Sequence, residues 1–155
     1  MVSVPAHTRT RVGFMVHELA HAVAVRAASQ RHGIPVTLVS APGAAGTGGA
    51  GWWRAIITQA QHVVPEADAT SILDCADAPG MALAAIREGV ETIALSAPAA
   101  TLSKVRDIGA QSGVTLQTVD WDNVCDLIGT NDPQAECENH LLKRSGSVAN
   151  PRALG

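Results

Sequence analysis

Three times along the chain a helix-spaced stretch ends in glycine and gives way to a β-branched or apolar run. These runs are Gly33-Ile34-Pro35-Val36-Thr37-Leu38, Gly89-Val90-Glu91-Thr92-Ile93-Ala94-Leu95 and Gly113-Val114-Thr115-Leu116-Gln117-Thr118-Val119. Glycine takes the left-handed conformation that stops a helix, and Val, Ile and Thr suit a strand buried against helices. A fourth strand is expected over Thr70 to Cys75, after Pro65. The strand exits repeat too, as Ser40-Ala41-Pro42-Gly43, Asp77-Ala78-Pro79-Gly80 and Ser96-Ala97-Pro98-Ala99. In each, Ser or Asp stands where a helix cap is wanted and Pro where the first turn tolerates it.

Between these runs, residues 52–64, 80–88 and 100–112 carry Ile, Leu, Val and Ala at helical spacing, and an opening helix is expected over about 15–31. The order is αβαβαβαβ. The crossover rule then predicts a small open parallel sheet of about four strands with helices on both faces, flavodoxin-like or Rossmann-like. The βα units also resemble single modules of phosphate-binding barrels, a likeness that bears on geometry alone, since four strands cannot close a barrel. Beyond Val119, Asp132-Pro133 opens a short helix to about Arg144, with Glu136 and Glu138 early and Lys143-Arg144 late, as the helix dipole prefers. Residues 12–128 are expected to form one α/β domain, and 129–155 a C-terminal helix and a fraying tail.

Composition narrows the function classes. A chain of 155 residues fits one domain, and 11 basic against 14 acidic side chains leave a net charge of −3. Neither nucleic acid nor an anionic membrane is an expected partner. One Phe, three Trp and no Tyr also leave no aromatic platform for single strands. Cys75, Cys125 and Cys137 are odd in number and lack a Cys-x-x-Cys pair, which fits reduced thiols and a cytoplasmic setting. The most apolar stretch, Gly13 to Ala28, follows Arg9 and Arg11, but His17, Glu18, His21 and Arg26 interrupt it; neither an export signal nor a membrane helix is expected.

Two strings look like chemistry. His17-Glu18-Leu19-Ala20-His21 is a His-Glu-x-x-His placed on the expected first helix, where both imidazoles would share a face. This stretch resembles the zincin metalloproteases, and the resemblance implies His17 and His21 as zinc ligands with Glu18 as general base. A third ligand is not evident: the metzincin pattern wants Gly and His where Ala24 and Ala27 stand, and no Glu follows before Glu66. Two boundary histidines on an amphipathic helix, with no metal, are the expectation.

The second string is Gly43-Ala44-Ala45-Gly46-Thr47-Gly48-Gly49-Ala50-Gly51, in which Gly46, Gly48 and Gly51 satisfy Gly-x-Gly-x-x-Gly. Such glycines let backbone N–H groups approach a phosphate beside a helix N-terminus. The string stands late after its strand and lacks the Lys-Ser/Thr of a nucleotide P-loop. Trp52 and Trp53 follow at once, and a helix cannot turn both into one core. Asp74 and Asp77 flank Cys75 at the second strand exit, and Asp120 and Asp122 stand beyond the last strand. These acids would suit Mg²⁺ or acid–base work, and Cys75 a nucleophile, against the plainer readings of cap, turn former and buried thiol.

These features predict a small α/β module that binds a small ligand, anionic or phosphorylated, at the carboxyl edge of the sheet. The expected contacts are Ser40, Gly43, Gly46, Gly48, Gly51, Asp74, Asp77 and Ser96, with no cofactor. A zinc hydrolase at His17, Glu18 and His21 is the enzymatic alternative, and a homo-oligomeric interaction module without catalysis is the other.

Overall fold

The computed structural model describes residues 10–148, with side chains described through Arg144. The elements in order are β1 (Val12–Met15), α1 (Leu19–His32), β2 (Val36–Val39), α2 (Ala44–Thr47), α3 (Ala50–Val63), β3 (Ala69–Asp74), α4 (Pro79–Glu88), β4 (Thr92–Ala94), α5 (Ala99–Gln111), β5 (Thr115–Leu116), a 3-10 turn (Trp121–Asn123), β6 (Val124–Asp126) and α6 (Pro133–Val148). The strands form one open, wholly parallel sheet in the order β5-β4-β3-β2-β1-β6. The α/β class and the C-terminal helix are as expected; the sheet has six strands rather than four.

The two added strands are β1 and β6. From sequence no strand is expected at Val12-Gly13-Phe14-Met15 and the first helix starts at about Met15, but the backbone of this run pairs with β2 on one side and β6 on the other. β1 thus stands inside the sheet, and the first helix starts later than expected, at Leu19.

From β1 to β5 each strand is added on the same side of the last, so right-handed crossovers put the connecting helices on one face. Accordingly α6, α1, α3, α4 and α5 pack side by side in that order. The connection from β5 to β6 returns across the whole sheet, and handedness sends it over the other face. There Gln117, Thr118, Val119 and Asp120 border a cleft of about 770 Å³ with Thr37, Val39 and Ile72. An irregular crossing segment therefore lies where a second helical layer was expected.

Strand alternation follows this division. Phe14, Val36, Leu38, Leu73 and Ile93 turn toward the helices and join one core with Val25, Trp53, Ala82, Ile86 and Leu141. Each large side chain buried there contributes about 1.5–3 kcal/mol relative to exposure. Residues of the opposite parity pair their hydroxyls across strands, Thr37 with Thr70 at 3.1 Å and Thr92 with Thr115 at 3.0 Å. Gly33 (φ 65°) and Gly89 (φ 78°) end α1 and α4 in the left-handed region, as the glycine-then-strand pattern requires.

The expected Ser and Asp caps do not form, because α4 and α5 start from Ala78 and Pro98 with no side-chain cap. Asp132 does act at its helix, accepting the Ala135 N–H at 3.1 Å. That helix runs past Arg144 to Val148, so the first four residues of the tail expected to fray over 145–155 are helical, and residues 149–155 lie outside the described residues. Among the described residues no helix is long and apolar enough to cross a membrane.

Candidate functional site at the carboxyl edge

Parallel pairing brings the ends of all six strands to one edge, and register sets their neighbours. Met15 pairs with both Val39 and Asp126, and the Val16 N–H reaches the Val39 carbonyl at 2.9 Å. The turn holding His17 therefore stands between Asp126 at the end of β6 and Ser40 beyond β2. Asp74, at the end of β3, follows on the far side of Ser40, whose N–H bonds the Ile72 carbonyl at 3.0 Å.

The His-Glu-x-x-His string therefore belongs to this edge and not to a helix face outside the repeating units. His17 precedes the helix and Glu18 is its N-cap position, with extended backbone (φ −155°) and no side-chain cap bond. The two imidazoles lack the i, i+4 helical relation that the zincin likeness presumes. His17 Nε2 meets Asp126 Oδ1 at 2.6 Å, the His17 N–H donates to His21 Nδ1 at 3.1 Å, and His21 Nε2 lies 3.5 Å from Glu18 Oε1. An acceptor role at Nδ1 puts the His21 proton on Nε2, toward Glu18. Burial pushes the His21 imidazole below its ordinary value, against the opposing pull of Glu18. At Asp126 burial works upward but is outweighed by the hydrogen bonds from His17 and the Ile128 N–H, and the net shift is downward. No group of three or more His, Cys, Asp or Glu side chains able to hold a metal comes together among the described residues.

The neighbouring turn is built around a carboxylate. Asp74 is 8% exposed; its Oδ2 accepts the Gly43 N–H at 2.7 Å, and its own N–H donates to Ser40 Oγ at 2.9 Å. Ser40 Oγ donates in turn to the Ala41 carbonyl at 3.0 Å. Three of the expected site residues, Ser40, Gly43 and Asp74, thus meet in one network. Cys75 is buried beside them, and burial together with the Asp74 charge pushes its thiol up to about 11. A nucleophilic thiolate is not what that environment favours.

The glycine string is mostly helical. Gly46 lies in α2, Gly48 is its C-cap, and Gly51 lies in α3. A Cβ at Gly48 would stand 2.8 Å from Trp52 Cε3, so glycine there makes room for an indole rather than for a phosphate. Trp53 is buried in the core and Trp52 is 39% exposed, dividing the pair as a helix must. α3 begins at Gly49 (φ 85°, ψ 157°), a conformation reserved for glycine, and no side chain caps its first turn.

Asp77 and Ser96 are exposed on the following turns. They frame Ala76, whose φ of 50° places a non-glycine residue in the left-handed region and whose carbonyl accepts the Ser96 N–H at 2.8 Å. Asp120 and Asp122 lie on the return connection; Asp120 accepts the Asn123 side-chain amide at 2.6 Å.

Asp126 is the residue that sequence reasoning missed. Its signal was present as Val124-Cys125-Asp126, an apolar pair ending in an acid as β3 does, but three residues before Gly129 make a faint strand. The 770 Å³ cleft lies elsewhere, by the starts of β1, β2 and β6. Both guanidinium groups on its wall are engaged, Arg11 with Asp68 at 2.7 Å and Arg144 with the Asn123 side chain at 3.0 Å.

Compared with models of known protein families this chain matches none, and no curated protein matches it either.

Proposed function

We propose that this chain is a small-ligand-binding α/β module whose ligand, bearing hydroxyls and an anionic or phosphorylated group, sits at the carboxyl edge between His17 and the start of α3. The observation that carries this reading is the uncapped first turn of α3. Its N–H groups have no side-chain acceptor, and Asp74, the nearby carboxylate, is held by Gly43 instead. An oxyanion is the natural acceptor for such a turn. Asp74 and Asp126 are placed to accept hydroxyl protons, and Trp52 offers a half-exposed face for a ring.

Open α/β sheets use this edge for ligands in general. Asp77 and Ser96 stand at its far end; Gly46 and Gly48 shape the turn and do not touch the ligand. Thermal shift and calorimetric titration against ribose 5-phosphate, nucleoside monophosphates and ribose test the proposal. Stabilisation by the phosphorylated members, lost in Asp74→Asn, is the expected result; no response to any of them removes the reading.

The enzymatic alternative, a zinc hydrolase, draws support from one feature, the addition of the Asp126 carboxylate to the His-Glu-x-x-His string. Elemental analysis of protein made without a histidine tag tests it. Stoichiometric zinc that disappears in His17→Ala would favour the hydrolase.

A further inference from the structure

The helix-facing row of β3 is Ala69, Ser71 and Leu73, and its first two members are small where the neighbouring strand carries Val36 and Leu38. The space above it holds Arg26 of α1. That side chain is 6% exposed, and its Nε donates to the Val64 carbonyl at the end of α3 at 2.9 Å. The α3 dipole favours a cation there, but one carbonyl satisfies one of five guanidinium donors. Among the described residues no carboxylate comes within ion-pair distance of Arg26, and the buried Ser71 lines the same space. Burial pushes the guanidinium below its ordinary value, yet it stays charged.

Arg26 and Ser71 line one cavity of about 230 Å³ with Gln61, Ile57, Leu38 and Glu91. It opens near the starts of β3 and β4, at the end of the sheet opposite the proposed ligand edge. An unpaired buried cation is among the costliest arrangements in a core, and a cavity at its open donors invites the missing charge.

We propose that the Arg26 cavity is a binding site for a small oxyanion, a carboxylate or a phosphate, held by the guanidinium and the Ser71 hydroxyl with Gln61 at the mouth. A planar fork of N–H donors suits either group. A second glycine-rich or basic motif is not needed, because the specificity lies in one desolvated Arg and its volume.

The test uses the full chain, labelled with ¹⁵N. Potassium acetate and potassium phosphate are titrated against potassium chloride at matched ionic strength, and the Arg26 Nε–H and Ser71 amide signals are followed. A saturable shift with acetate, with phosphate or with both, and none with chloride, is the expected result; the arm that responds identifies the anion. Arg26→Met should weaken that binding about tenfold or more, the loss of a charge-assisted contact. If Arg26→Met does not fold, Ser71→Val, which keeps the guanidinium and removes the hydroxyl donor, should weaken the same shift. No saturable shift with either oxyanion, an equal shift with chloride, or an undiminished shift in a folded variant overturns the proposal.

Discussion

The two ends of the sheet handle buried charge in opposite ways. At the carboxyl edge the buried Asp74 carboxylate accepts the Gly43 N–H, and its backbone N–H bonds Ser40, so that a turn and a strand exit are tied together. At the amino edge Arg26 is as deeply buried, but it has one carbonyl and an open cavity. The first charge holds the fold's loops in place. The second is supported by a helix end and by room for something else. A buried charge with its partners in place is evidence about architecture, whereas one with open donors is evidence about a missing ligand.

Substitution separates these roles most strongly. Asp74→Ala leaves the Gly43 N–H without its carboxylate acceptor, while the backbone bond to Ser40 stays, and should cost about 1–3 kcal/mol in urea unfolding. Arg26→Met, which removes a lone buried cation and keeps the length of the side chain, should leave stability unchanged or raised. Equal losses at both sites would erase the contrast.

The next effect is smaller and of opposite sign. Ala76 holds φ 50° at the turn beside Asp74, and Ala76→Gly relieves that strain while adding chain entropy. The two terms nearly offset, leaving a gain below about 1 kcal/mol. A loss would show that the Ala76 methyl is held by packing rather than tolerated.

The smallest is a pH effect at the β1 exit. The folded His21 value lies below its ordinary 6.5, so its contribution is complete above that pH and declines as pH falls through 6.5 toward the folded value. His21→Asn, whose side-chain oxygen can still accept the His17 N–H, should flatten stability between pH 7 and pH 5 relative to wild type. His140, also shifted down by burial, remains in both proteins and drops out of the difference. Asp126, with its lowered value, acts only below about pH 3.8, where its contribution is lost as the carboxylate protonates.

The sequence carried the repeating βα units well, because glycine stops and β-branched runs are local signals. It carried β1 and β6 poorly. Val12–Met15 runs straight into the apolar spacing of α1, so one continuous pattern hid a strand, a turn and a helix. β6 has three residues, and only its parallel pairing to β1 makes it a strand.

The same gap displaced the reading of the site. Without β1, His17 falls on the expected first helix rather than at a strand exit. Asp126, 109 positions away, had no local cue that joined it to His17. The glycine string misled in the other direction: its alanines were sufficient to form α2 and begin α3, which local glycine content concealed. Ser40 and Asp74 were visible as exit residues, but the bond that ties Asp74 to Gly43 depends on register between β2 and β3.

The claim that a ligand sits at the carboxyl edge is tested most directly by titrating ¹⁵N-labelled chain with ribose 5-phosphate and reading the amide spectrum residue by residue. The account predicts saturable shifts at the Gly49, Ala50 and Gly51 amides, the Trp52 indole and Asp74. Shifts confined to Arg26 and Ser71, or signals at the α3 start that stay still through millimolar ligand, would contradict it.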